Sequence, residues 1–498
     1  MESFYVTTAI DYPSGNPHLG HAYEKIIADF FARWHKLLGK KVFFLTGTDE
    51  HGLKIQKKAE QQGKTPKEFV DEMHLKFKEL CKKLNISYTR FIRTTEEAHT
   101  KAVYALFDKI YKNGDIYKGK YSGYYCVECE TYYTEREAPD KKCPFHKIDL
   151  EYAEEEAYFF KLSKYQNALL DHINKNPDFI FPESKRNEII NRLKQGLQDL
   201  CISRSTFTWG IKLPTDPKHV FYVWVDALTN YLTGIGFPNE SYKEFWPADM
   251  HNIGIDIVWH HAVIWPALLL SAGIELPKRI VVHGFITLKG EKMSKSKGIT
   301  IDPFKLAEKY GVDKVRYFFL RTIPFGQDGD FSEEELVKRT NAELADSLGN
   351  LLHRVSTMYK KYFDSQVVPT EKDNELFSLI KPEEVVKHVE NLELHVALAK
   401  IFEFIDACNK YINDKAPWEL AKNNNYEELK KVLYNLAEAL RMIAQLLYAF
   451  IPEAAEKILD QLGYKLRDTF DFKFGNAKSS GVKEPVLLFK KIKEIGGW

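Results

Sequence analysis

Residues 4–47 read FYVTTAIDYPSGNPHLGHAYEKIIADFFARWHKLLGKKVFFLTG, and this one stretch decides the fold class. The apolar run FYVTTAI (4–10) suits a buried strand, and DYPSGNPH after it has turn chemistry. From His18 onward, Ile26, Ile27, Phe30, Trp34, Leu37 and Leu38 recur at helical spacing until Gly39 stops the pattern. KVFFLTG (41–47) is a second apolar strand. Strand, helix, strand in so short a span is a βαβ unit, so a parallel sheet with helices on its faces is predicted.

Working outward, VFYVWV (220–225), DMHNIGIDIV (249–258) and RIVVHGFITL (279–288) are further strand candidates, separated by apolar helical segments. Between 116 and 222 the character changes: tyrosines crowd in, most of the cysteines cluster, and the acidic run EYAEEEAYFF appears. This region reads as an insertion. After about 340 the period is helical. Leu344, Leu348, Leu351, Leu352 and Val355 make one stripe, Val396, Ala399, Phe402, Ile405 and Cys408 another, and Leu433 to Ile451 a third. Such stripes bury against each other as a bundle. The expected organisation is α/β: a sheet domain at 1–115 and 223–285, an insertion at 116–222, a connecting region at 286–340 and an all-α domain at 341–498.

Composition sets limits. At 498 residues the chain exceeds the size at which one core keeps growing, which favours several domains. No apolar run reaches the ~18 residues of a membrane span, and MESFYVTTAI lacks the layout of a secretion signal. No membrane partner and a cytoplasmic setting are expected. The net charge of +1, from 71 basic against 70 acidic residues, excludes a polycation that coats nucleic acid. Any RNA would have to be bound through local patches.

Two motifs carry phosphate chemistry. In PSGNPHLGH (13–21) a glycine-bearing turn leads from a strand into a helix whose first turn carries His18 and His21. Free amides and the helix dipole favour an anion there, residues three apart share a helical face, and Gly20 permits close backbone approach. GEKMSKSKG (290–298) places Lys292, Lys295 and Lys297 between Gly290 and Gly298. Alone, it is either a solvated loop or a clamp on a polyphosphate. Both motifs follow strands, and ligands of open parallel sheets sit beyond the strands' carboxyl ends. A third cluster, CVEC (126–129) and CPFH (143–146), offers Cys126, Cys129, Cys143 and His146 as a tetrahedral zinc set. Four protein ligands leave no open position, so the metal would be structural.

HxGH followed by KMSKS, each after a strand, resembles the class I aminoacyl-tRNA synthetases, and the likeness narrows to those specific for methionine. It extends over nearly the whole chain through GTDEHG (47–52), CISRSTFTWGI (201–211), VWVDALTNY (223–231), GIDIVWHHAVIWPALL (254–269) and a one-knuckle zinc insert. The leucine, isoleucine and valine relatives usually carry a larger insert than 116–222. The cysteine relative has a zinc ligand ahead of its histidine signature, whereas Cys81 is the first cysteine here.

The resemblance implies a Rossmann-type catalytic domain that activates L-methionine with ATP and Mg2+ and transfers it to tRNA(Met). His18, His21, Lys292 and Lys295 would act on the phosphates. Gly20, Glu24, Gly254 and Asp256 would contact ATP and its ribose. Ile10, Tyr12, Trp224, Ala227, Tyr231, Ile257, His261 and Trp265 would line a soft aromatic slot for the thioether, and Asp49 would hold the ammonium. His260 stands where many relatives have phenylalanine and Leu228 where proline is common, which leaves the slot's shape open. Asn350, Arg354 and Trp418 match positions that read a CAU anticodon, although Trp418 packing the bundle is an alternative. The chain ends at Trp498 without the oligonucleotide-binding module of many relatives, so a monomer is expected, with a separate tRNA-binding subunit left open. A small-molecule adenylyltransferase, a non-catalytic tRNA-binding paralogue and another class I specificity remain as rivals.

Overall fold

The computed structural model describes residues 2–128, 131–133, 135, 137–288, 290–292, 301–476 and 481–493, apart from the side chains of 121, 122, 131, 132, 153–155, 291 and 292. They form two compact units: residues 3–28 with 42–283, and residues 29–41 with the chain from Gly284 onward.

The first unit is built on a six-stranded sheet. Its strands are β1 (Ser3–Thr8), β2 (Lys41–Thr48), β3 (Arg90–Arg93), β4 (Ile180–Phe181), β5 (Met250–Gly254) and β6 (Ile280–His283), in the order β3-β2-β1-β5-β6-β4. Every pair whose register is resolved runs parallel. β1 is buried on both faces, which is why its sequence is a continuous apolar run and not an alternation. Helix α1 (Leu19–Leu37) follows β1, and α2 (Leu53–Gln61) and α3 (Glu97–Lys112) follow β2 and β3. The chain then returns to lay β5 beside β1, so the strand order reverses there. Ligands bind at such switch points, beyond the carboxyl ends.

The insertion opens with a long antiparallel pair, Ile116–Cys126 with Glu151–Phe160, flanked by Thr131–Tyr133 and Leu200–Cys201. It also sends β4 to the edge of the main sheet, a contribution its sequence did not announce. Two strand expectations need correction. VFYVWV ends the antiparallel strand Asp216–Phe221 and then turns into the helix α4 (Val223–Leu228). RIVVHGFITL is two strands, β6 and Ile286–Leu288, the second pairing with Gly329–Phe331. The break falls at Gly284, where a Cβ would lie 2.4 Å from the backbone of Gln327.

The second unit is mostly helical, with α5 (Val312–Thr322), α6 (Asn350–Phe363), α7 (Leu394–Lys415), α8 (Pro417–Lys422), α9 (Tyr426–Leu447) and α10 (Pro452–Gln461) as its main helices. The stripe from Leu344 to Val355 is buried as expected. On α7 the expected Phe402, Ile405 and Cys408 are buried, but Val396 and Ala399 are half-buried and Leu394, Ala397, Leu398 and Ile401 share the buried face. That helix packs against several others, which widens its apolar face. A charged cluster lies inside this unit. Arg316 Nη1 is 2.7 Å and Arg33 Nε 2.8 Å from Asp29 Oδ2. Arg316 also donates to the carbonyls of Ala449 and Phe450. A buried ion pair stands only when its remaining hydrogen-bonding groups are met in this way.

Candidate functional site

The turn after β1 sets two imidazoles side by side. His18 and His21 stack with ring centroids 3.7 Å apart. The Gly20 N–H donates to His18 Nδ1, and the His18 N–H donates to His21 Nδ1, both at 3.1 Å. A nitrogen that accepts carries no proton, so each neutral ring bears its hydrogen on Nε2. Local backbone geometry thus fixes two N–H donors at a helix start. A Cβ at Gly20 would approach the His18 ring to 3.0 Å, so a larger residue there would press on that ring. His21 Nε2 lies 3.9 Å from Asp11 Oδ1, and the buried Lys25 ammonium holds the other Asp11 oxygen at 2.5 Å.

At the carboxyl ends of β5 and β6, three expected residues lie together. Glu24 Oε2 accepts from His283 Nε2 at 3.0 Å, and Asn252 Nδ2 donates to the Glu24 carbonyl. A Cβ on Gly254 would meet Asp256 Oδ1 at 2.9 Å and the His283 ring at 3.7 Å. Glu24, Gly254 and Asp256 therefore share one neighbourhood, with His283 an unforeseen member.

The residues expected for the aromatic slot also lie in this unit. Ile10, Tyr12, Trp224 and Ile257 pack, half-buried, on the core that holds Tyr231 and Trp265. Ala227 is buried beside Trp224 on α4. Tyr231 and Trp265 lie 6.0 Å apart, and Trp224 meets His261 edge-on at 6.2 Å. His261 Nδ1 is 3.0 Å from the Ile257 carbonyl and must donate to it. Its Nε2 accordingly accepts the Tyr231 hydroxyl at 2.6 Å. Burial pushes the His261 pKa down to about 4, so the ring is neutral, as this arrangement needs. His260 stacks on Trp224 at 3.8 Å, taking a flat ring's place with a flat ring.

Asp49 sits on a loop held from several sides. Its N–H donates to the Asp11 carbonyl at 2.8 Å, and the Gly52 N–H to the Trp209 carbonyl at 3.1 Å. The buried Glu50 carboxylate takes bonds from Thr48, Arg93 and Thr95. Tyr12 Oη donates to the His51 carbonyl at 3.0 Å. His51 Nδ1 and His99 Nε2 each lie 2.7 Å from one oxygen of Asp226. GTDEHG and VWVDALTNY drew attention as motifs, yet nothing in either string pairs His51 with Asp226, 175 positions away.

The lysine loop falls largely outside the described residues. Lys295 does, and Lys292 is described only by its backbone, paired with Thr287 in a short antiparallel ladder. Asp330 anchors that ladder, accepting from the Gly290 N–H and the Thr287 hydroxyl.

Cys126, Cys143 and His146 converge, their ligand atoms all within 4.8 Å of one another. His146 Nδ1 lies 3.6 Å from Cys143 Sγ and 4.0 Å from Cys126 Sγ. Tetrahedral zinc with ordinary bond lengths sets a sulfur–nitrogen separation of about 3.6 Å. The donor set and its spacing fit zinc. Cys129 lies outside the described residues.

In the helical unit, Asn350 and Arg354 share a face of α6, and Trp418 follows Pro417 at the start of α8. The Trp418 ring is 43% exposed, and the Arg354 guanidinium stands 5.6 Å from its centre. Arg354 is also braced by Asn413 Oδ1 at 2.8 Å. An exposed indole beside a guanidinium is a surface on which an unpaired base can stack.

Comparisons with known proteins agree with this geometry. The family described as tRNA synthetases class I (M) matches residues 4–154 and 139–356, and the anticodon-binding domain of tRNA ligase matches 374–493. The chain is 48% identical over 505 residues to a Methionine--tRNA ligase of Caldanaerobacter subterraneus, covering 99% of this chain and 79% of that one. It is 46% identical over 509 residues to the Methionine--tRNA ligase of Thermotoga maritima, covering 98% and 80%. The solved Mycobacterium tuberculosis methionyl-tRNA synthetase in complex with methionyl-adenylate superposes with a TM-score of 0.94 at 44% identity, over 98% of this chain and all of that one.

Proposed function

The chain belongs to the methionine-specific class I tRNA synthetases, and from that premise we propose how its residues divide the reaction. The activity is that of a methionine–tRNA ligase: ATP-dependent conversion of L-methionine to methionyl-adenylate, then transfer to the 3′ end of tRNA. The methionine carboxylate attacks the α-phosphorus of ATP in line, and pyrophosphate leaves. No covalent enzyme intermediate is needed, so positioning and charge stabilisation carry the step.

His18 and His21 donate from Nε2 to phosphate oxygens. The observation that carries this assignment is the pair of backbone N–H bonds that hold both Nδ1 atoms as acceptors. Glu24, Gly254 and Asp256 hold the nucleoside end, with Gly20 giving the backbone room for it. Lys292 and Lys295 neutralise the departing pyrophosphate, with Mg2+ accompanying the nucleotide. Asp49 pairs with the methionine ammonium. Ile10, Tyr12, Trp224, Ala227, Tyr231, Ile257, His261 and Trp265 enclose its side chain. Because Tyr231 already donates to His261, its hydroxyl has no hydrogen left to give, and this slot favours a soft thioether over a side chain that must accept a hydrogen bond. A terminal hydroxyl of tRNA then attacks the adenylate carbonyl and releases AMP.

Zinc on Cys126, Cys129, Cys143 and His146 would fasten the tip of the insert without entering the chemistry. Asn350, Arg354 and Trp418 read the anticodon. Charging of tRNA suits a cytoplasmic setting, and we infer a monomer as the working state. Among the described residues no helix is long and apolar enough to cross a membrane. A single-turnover assay of Lys295→Ala tests the division of labour. Adenylate formation should slow by orders of magnitude while methionine affinity holds, because the charge Lys295 meets develops as pyrophosphate departs. An unaltered burst would refute it.

A further inference from the structure

Asp226 lies on α4 between Trp224 and Ala227, five positions before Tyr231, and is 1% exposed. Its Oδ2 is 2.7 Å from His51 Nδ1, and its Oδ1 is 2.7 Å from His99 Nε2. A carboxylate can only accept, so both imidazole nitrogens carry hydrogen and both bonds point at Asp226. His51 follows Asp49 by two residues and takes the Tyr12 hydroxyl on its carbonyl. His99, on α3, is fully buried and is fixed at its other nitrogen by Thr233 Oγ1 at 3.0 Å. Asp226 thus joins the segment beside the ammonium site to the helix that carries part of the thioether slot. Burial would raise the carboxyl's pKa, but the two histidines outweigh it and hold it down to about 2, so Asp226 is ionised throughout the working range.

We propose that Asp226 is a positioning residue that locks the Asp49 loop to the helix bearing Trp224 and Ala227, fixing the distance between the two ends of the methionine pocket. The inference rests on the methionine reading above. A buried charge with two donors is stable in place, and removing either donor leaves it partly unmet. The loop and the helix would then separate or shift to find another partner. Methionine, which spans both, should lose affinity. ATP, bound at the other end of the site, should not.

The geometry gives a crossed test. An asparagine amide nitrogen replaces Nδ1 of histidine, and a glutamine amide nitrogen replaces Nε2. His51→Asn therefore keeps the bond to Asp226 and His51→Gln breaks it, whereas His99→Gln keeps it and His99→Asn breaks it. The readout is KM for methionine and for ATP in pyrophosphate exchange. The two bond-breaking variants should raise the methionine KM roughly 10-fold or more, the loss of one bond to a buried charge. Their ATP KM should change less than about 2-fold, and the bond-keeping variants should hold the methionine KM within about 3-fold. Absence of the crossing overturns the proposal, as does a parallel rise in both KM values. If a bond-breaking variant fails to fold, its partner at the same position decides: a raised methionine KM there overturns the proposal. Wild-type protein without methionine-dependent exchange overturns the functional reading and this inference together. Active wild-type protein without the crossing overturns this inference alone.

Discussion

The rings of His18 and His21 stack 3.7 Å apart, with both Nδ1 atoms already accepting backbone N–H bonds. In the role proposed above, the two Nε2–H groups are oriented before ATP arrives, so their reorganisation cost is met by folding. His21→Ala should slow adenylate formation by about 10²–10³-fold, the usual effect of losing one preorganised donor. His21→Gln, whose amide nitrogen falls near Nε2, should recover part of that rate, and His21→Asn should not. Quenched-flow measurement of adenylate would show it, and equal rates for all three variants would count against the donor role.

Trp418 is 43% exposed beside Arg354, which argues for a stacking surface more than for bundle packing. Trp418→Ala should weaken tRNA binding by about 1–3 kcal/mol, the worth of one base stack. Methionine-dependent exchange, which needs no tRNA, serves as the control. A parallel fall of exchange and aminoacylation in one preparation would mean that Trp418 holds the bundle together.

The Cys126, Cys143 and His146 cluster predicts a single structural zinc. Cys143→Ala should lose it in metal analysis, and chelation of wild-type protein should lower the melting temperature. A zinc-free protein, freshly isolated and fully active, would rule the site out.

Asp313 gives a pH dependence of stability. Burial pushes its pKa up to about 6, against the opposing Ala454 N–H and Arg316. The folded state therefore holds the proton more tightly than the unfolded state. The stability this contributes is complete below about pH 4 and is lost as pH rises through about 6, amounting to about 3 kcal/mol. Asp313→Asn should flatten denaturant stability over that window. A variant that loses stability with pH as steeply as wild type would contradict the assignment.

Much of the fold was legible because parallel strands buried on both faces leave continuous apolar runs, as in FYVTTAI and KVFFLTG. The same rule misread VFYVWV, since a short helix buried at all but one position, such as Val223–Leu228, leaves the same trace. RIVVHGFITL hid its break at Gly284, which is set by the close passage of Gln327. Of the candidate site, the His18–His21 pair and the convergence of Cys126, Cys143 and His146 were legible because their spacing is local in sequence. Asp226 with His51 and His99, and Asp29 with Arg316, were invisible because each depends on partners more than 100 positions apart.

This chain activates methionine. Pyrophosphate exchange measured with each standard amino acid in turn, on wild-type protein with ATP and Mg2+, tests it most directly. Rapid exchange with methionine and background rates with the rest are expected. Exchange driven by a different amino acid, or by none, would contradict it.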